Sequence, residues 1–109
     1  MIAIENHGAI RELRLARPPV NALNPALIGA LNAALDAASG DDGARAIVLS
    51  GLPGLFSAGL DVRELASLDR EAMHRFLTEF QRTQRLLAAS PVPVVAAITG
   101  HCPAGGTVL

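Results

Sequence analysis

An α/β fold is predicted for this chain of 109 residues from three observations. Residues 45–50 (RAIVLS) and 92–98 (VPVVAAI) are short apolar runs of the kind that form buried strands. Two longer segments carry apolar residues at helical spacing behind a capping residue. These segments alternate in the order β-β-α-β-α-β, the pattern of a sheet covered by helices.

The elements follow in order. Residues 2–5 read as a short strand, and Asn6-His7-Gly8 as a turn, because Asn and Gly tolerate positive φ. Residues 9–15 form the return strand of a hairpin, with Ile10 out of phase with Leu13 and Leu15. Arg17-Pro18-Pro19 stops regular structure. Asn24-Pro25 starts a helix, with Asn as cap and Pro at the first helical position. Leu27, Ile28, Leu31, Ala34 and Leu35 supply its apolar face, and Gly40 ends it. Strand 45–50 follows and is broken by Gly51-Leu52-Pro53-Gly54. Residues 61–66 suit one or two helical turns. Asp69 caps a longer helix from 70 to about 89, whose expected buried stripe is Met73, Phe76, Leu77, Phe80, Gln84 and Leu87. Ser90-Pro91 ends that helix, and strand 92–98 is expected to be buried. Residues 99–106 form a turn. Gly106-Thr107-Val108-Leu109 reads as the opening of a further helix, so the chain is expected to be the N-terminal part of a longer domain.

Composition removes several function classes. Half of the residues are hydrophobic and 17% are charged, enough to bury a core. A net charge of −1 provides no basic field for nucleic acid or an anionic membrane. All nine basic residues are Arg, so Schiff-base chemistry through Lys is excluded within these residues. One Cys, Cys102, rules out an internal disulfide framework and a four-thiolate zinc site. His7, His74 and His101 are scattered and predict no metal centre. The N-terminus is not a signal peptide, no apolar run is long enough to span a bilayer, and the expected compartment is cytoplasmic.

Two small-residue turns follow the two best strands: Phe56-Ser57-Ala58-Gly59-Leu60-Asp61 and Cys102-Pro103-Ala104-Gly105-Gly106. In parallel sheets, ligands sit beyond the carboxyl ends of the strands, and small residues let them approach the backbone. Two such turns on neighbouring strands can converge two N–H donors on one oxygen that becomes negative, an oxyanion hole. Each is equally readable as a plain tight turn. Cys102 reads as a small packing residue, since its adjacent His101 is poorly placed to activate it. His7 and His74 read as surface residues, and Arg82 and Arg85 as an exposed face.

Phe56 to Val62 (FSAGLDV) and Ala97 to Gly106 (AITGHCPAGG) resemble the two signature segments of the crotonase superfamily, the enoyl-CoA hydratases and isomerases. Arg17-Pro18-Pro19-Val20-Asn21-Ala22-Leu23 resembles its N-terminal segment, and all three stand in family order along essentially the whole chain. The pairing of FSAGLD with CPAGG most resembles the Δ3,Δ2-enoyl-CoA isomerases of mitochondrial type. The resemblance implies a crotonase-like fold of repeated β-β-α units, of which this is the N-terminal portion, assembled as a trimer or hexamer. It implies an acyl-CoA substrate, with coenzyme A part of that substrate, no separate cofactor and no metal. The thioester carbonyl would be held by the backbone N–H groups of Leu60 and Gly105. Coenzyme A contacts would map to Val20, Ala22, Ala58, Gly59, Leu60, Asp61 and Val62. Arg63 would meet a coenzyme A phosphate or stand as a solvated helix-face residue. His101 would line the pocket, and the helix stripe near Met73 would form core, subunit contact or acyl-chain border.

One departure matters. Hydratases of the family place a first Glu three residues after the oxyanion Gly, where this chain has Val108. Val moves no proton. The implied reaction is therefore isomerisation, with one carboxylate shuttling a proton from beyond residue 109, and no general base in this chain. Asp61 reads as a helix cap or structural partner instead. The alternatives are a hydratase or another crotonase-family reaction, and a non-catalytic binding or assembly protein. The 109 residues alone are expected to be inactive.

Overall fold

The computed structural model describes residues 1–39, 44–98 and 100–101. Strands β1 (Ile2–His7) and β2 (Ile10–Leu15) form a hairpin, antiparallel and in register from Ile2–Leu15 to His7–Ile10; the expected turn is shorter, because Asn6 and His7 pair with Arg11 and Ile10 and only Gly8-Ala9 turn, with Gly8 at φ +66°. Helix α1 (Pro25–Ser39) begins as predicted: the Leu27 N–H donates to Asn24 Oδ1 at 2.8 Å. Gly40, its expected stop, lies outside the described residues. Strand β3 (Ala46–Ser50) runs parallel to β2. Then come β4 (Gly54–Leu55), α2 (Val62–Ala66), α3 (Arg70–Ala88), β5 (Val94–Ala96) and β6 (Gly100–His101). The main sheet has the order β1-β2-β3-β5, and β4 pairs with β6 in a second, two-stranded parallel sheet.

Alternation along the strands decides where the core sits. Leu13 and Leu15 from β2 and Ile47 and Leu49 from β3 face α1, which brings Leu27, Ile28, Leu31 and Leu35 to the same side; all are buried. Ile10 falls on the opposite face with Glu12 and Arg14 and is 42% exposed, as its phase requires. Phe56, Leu65 and Phe76 close the core.

Four expectations are corrected. The strand expected over 92–98 is three residues long, and Val95 and Ile98 are about 60% exposed (58% and 60%) rather than buried. Among the described residues it pairs with β3 alone, at the end of the sheet order, and Pro91 and Pro93 lack the N–H groups that would extend it. The stripe on α3 is also shifted: Phe76 is buried, but Leu77 is 47% exposed and Thr83 is fully buried. The reason is a polar joint. Thr83 Oγ1 donates to Asn32 Oδ1 of α1 at 2.6 Å, and Asn32 Nδ2 donates to Glu79 Oε2 at 2.9 Å. Arg82, expected on an open face, pairs with Asp36 across the same helix contact. Finally, β4 and β6 arise inside segments read as turns, because each is only two residues long and forms only through the other.

Candidate functional site

The strands that precede the two small-residue segments are neighbours twice over. β3 and β5 are parallel neighbours, and so are β4 and β6, with Gly54 opposite Gly100 and Leu55 opposite His101. The first turn thus departs from the end of β4, and residues 102–106, the second expected turn, lie outside the described residues. Glycine at position 100 is a steric necessity, since a Cβ there would collide with the Gly54 carbonyl group.

The first turn is held by the segment 17–24. Leu23 and Leu60 form an isolated parallel bridge: the Leu23 N–H donates to the Gly59 carbonyl at 2.7 Å, and the Asp61 N–H donates to the Leu23 carbonyl at 2.8 Å. The Ala58 N–H donates to the Val20 carbonyl at 3.0 Å, and the Gly59 N–H to Ser57 Oγ at 3.1 Å. From Ala58 to Asp61, three of four N–H groups are therefore engaged. The fourth, that of Leu60, has no partner among the described residues. Its direction follows from the bridge. The Gly59 carbonyl points at Leu23, so the Leu60 N–H in the same planar trans peptide points the opposite way. Gly59 has φ +93°, which an L side chain rarely adopts, so its Gly is required by the turn.

Asn21 is the latch beneath the turn. It is fully buried, with φ +50°, which Asn tolerates better than most residues. Its Nδ2 donates to the Leu15 carbonyl at 2.8 Å and to the Phe56 carbonyl at 2.9 Å; its Oδ1 accepts from the Arg17 N–H at 2.6 Å. Ser57 Oγ donates in turn to the Asn21 carbonyl at 2.8 Å. Asp61 plays the structural part expected of it: Oδ1 caps α2 by accepting from the Glu64 N–H at 3.1 Å, and Oδ2 accepts from Arg17 Nη1 at 2.7 Å. The Arg17 bond, and then that from the Glu64 N–H, hold the Asp61 carboxyl below its usual range.

The other expected contact residues lie on the same two hydrogen-bonded segments. Val20, Leu60 and Val62 are 40%, 37% and 73% exposed, unusual for large apolar side chains. Ala22 and Ala58 are half-buried and Arg63 is exposed. Gly105, Cys102 and Val108 lie outside the described residues, as does the His101 side chain. The α3 stripe borders a separate cleft of about 450 Å³ lined by Pro25, Leu68, Ala72, Arg75, Phe76 and Glu79, none of which belongs to the turn. His74 is exposed.

His7 is exposed too, but it is not isolated. The hairpin register puts Glu5 opposite Glu12, and one ligand atom each from Glu5, His7 and Glu12 lies within 4.8 Å of the others. Sequence spacing hides this grouping, which crosses strands. The set is poorly suited to a cation, because Arg14 Nη2 stands 3.1 Å from Glu12 and 3.5 Å from Glu5. Hydrogen bonds from Ser50 and then His7 are the main causes that bring the Glu12 carboxyl down to about 2.

Arg17, Asn21 and Ser57 hold the first turn through their side chains, a role that residue-by-residue reading missed, whereas Asn24 was read only as the cap of α1 and also bonds Glu64. Their signal was available: polar side chains clustered in RPPVNALN and FSAGLD with no periodic reason to be there.

The fold has close counterparts. Human mitochondrial delta3-delta2-enoyl-CoA isomerase superposes with a TM-score of 0.92 at 29% identity over 98% of this chain. Among curated proteins, one named "Probable enoyl-CoA hydratase" from Rhizobium meliloti is 35% identical over 106 residues, 96% of this chain. Mouse "Enoyl-CoA delta isomerase 1, mitochondrial" is 30% identical over 110 residues, 100% of this chain. The chain spans about two fifths of the length of these relatives: 40% of the Rhizobium protein, 38% of the mouse protein and 43% of the human isomerase chain. Residues 5–109 match the family described as Enoyl-CoA hydratase/isomerase, and this chain, with its crotonase fold, belongs to that family.

Proposed function

We propose that the whole protein carrying this chain is an acyl-CoA thioester enzyme, and that its reaction is Δ3,Δ2-enoyl-CoA isomerisation. The Leu60 N–H and the Gly105 N–H donate to the thioester oxygen as the enolate forms. The observation that carries this reading is the unengaged N–H of Leu60, whose neighbours Gly59 and Asp61 are both engaged. A donor fixed before the substrate arrives costs no reorganisation when charge develops. The exposed side chains of Val20, Leu60 and Val62 suit the apolar arm of coenzyme A, and Arg63 its phosphates. Isomerase is preferred to hydratase because Val108 occupies the position of the hydratases' first Glu. The proton-shuttling carboxylate is placed beyond residue 109. Assembly as a trimer or hexamer and a cytoplasmic role in fatty-acid β-oxidation complete the proposal.

The test uses the product of the whole reading frame. An isomerase creates conjugated enoyl absorbance from 3-enoyl-CoA. A hydratase removes it from 2-enoyl-CoA. A binding protein does neither and retains the thioester. Gly105→Pro deletes one donor, and the expected rate loss is roughly 10²–10³-fold. A folded Gly105→Pro protein with its full rate would falsify the donor assignment.

A further inference from the structure

We infer that Arg17 is a positioning residue for the Leu60 N–H, acting through the backbone bridge that aims it; this rests on the reading of Leu60 as an oxyanion donor. The bridge between Leu23 and Leu60 consists of two hydrogen bonds and is isolated from any longer ladder. Alone, such a bridge is free to fray, and the Gly59–Leu60 peptide, next to a glycine at φ +93°, has little else to stop it turning. Arg17 straddles it. One guanidinium nitrogen, Nη1, donates to the Ala22 carbonyl at 2.9 Å, immediately before Leu23, and to Asp61 Oδ2 at 2.7 Å, immediately after Leu60. The other, Nη2, stands 3.6 Å from Glu64 Oε1 on α2, and Asn24 Nδ2 donates to that same oxygen at 3.0 Å.

A single planar cation therefore joins both sides of the bridge and the first turn of the helix beyond it. Arg17 is itself anchored, through its backbone N–H, to Asn21. The pair is shielded enough to matter, with side-chain exposures of 26% for Arg17 and 17% for Asp61. Lys cannot replace it in full, because an ammonium lacks the flat fork that reaches Ala22, Asp61 and Glu64 together. Arg17 touches no reacting atom in this arrangement. It sets where the donor points, and small errors in such a direction are costly to the rate.

The experiment compares the whole-reading-frame protein with Arg17→Met and Arg17→Lys. The probe is 2-butenoyl-CoA isotope-labelled at its carbonyl carbon. The readouts are the bound carbonyl stretch by difference infrared spectroscopy, and kcat and KM for 3-enoyl-CoA. Wild type is expected to shift the stretch to lower frequency. Arg17→Met is expected to lose most of that shift and roughly 10–100-fold in kcat, with KM changed by less than about threefold. Arg17→Lys is expected to recover part of both. A folded variant that keeps the wild-type shift overturns the inference while leaving the oxyanion reading intact. A rise in KM alone also overturns it, assigning Arg17 to ligand binding. If Arg17→Met does not fold, Arg17→Lys decides: a full wild-type shift there overturns the need for the fork. A wild type that binds the thioester without shifting its carbonyl overturns the oxyanion reading, and this inference with it.

Discussion

The segment that follows β4 and the strand β5 differ sharply in how they are held. The end of β3 and β4 leads into residues 56–61, which Asn21, Ser57, Arg17 and the Leu23–Leu60 bridge tie down from several directions. The end of β5 has a three-residue pairing to one neighbour, with Val95 and Ile98 open on the surface. From composition the two segments look like equals, each an apolar strand followed by a Gly-rich turn. The difference teaches that the first turn is held by a third segment that pairs with it, residues 17–24, as well as by the Gly59 conformation, whereas among the described residues β5 pairs with β3 alone. A buried polar network of this kind is specific when every member is satisfied, and no buried side-chain polar atom lacks a partner among the described residues.

The largest effect is expected from breaking the latch. Asn21→Ala removes three hydrogen bonds, two of them to the Leu15 and Phe56 carbonyls, and forces an Ala to φ +50°. Destabilisation of about 3 kcal/mol or more is expected in chemical denaturation of the whole-reading-frame protein. A cost below about 1 kcal/mol would remove Asn21 from the account of why the first turn is rigid.

A smaller, graded effect is expected from acid. The Asp61 carboxyl is held below its ordinary value of 3.8, chiefly by Arg17. A carboxylate with a depressed folded pKa contributes stability above its unfolded pKa, and loses it as pH falls through the folded value. Stability of the braced turn should therefore decline below pH 3.8, and Asp61→Asn should flatten that part of the pH profile. An unchanged profile would mean that the Arg17 pair contributes nothing to folding.

The smallest effect belongs to the open strand end. Val95→Thr, at a side chain 58% exposed, is expected to change stability by no more than about 0.5 kcal/mol. A cost well above that would show that β5 is covered in the whole protein, and would bring the two strand ends closer together in kind.

Much of this was legible before any coordinates. The hairpin, both capped helices, the order of the longer elements and the core face of α1 follow from local rules: turn residues, caps and periodicity act within a few residues of one another. The position of Leu60 was legible from the resemblance of FSAGLD alone. The thinness of β5 was not, because VPVVAAI has the composition of a buried strand whether or not a neighbour covers it. Nor was the Asn32–Thr83 joint, since a buried polar pair fifty-one residues apart leaves no periodic trace.

By itself, then, the sequence determined where the helices and the longer strands lie, and where small residues cluster after them. Only the tertiary structure decided which N–H is left unengaged and which way it points. That depends on the pairing of residues 20–23 with 58–61 and on one guanidinium bonded to both sides of that pairing. Hydrogen-bond direction is a property of two segments brought together, and neither segment specifies it alone.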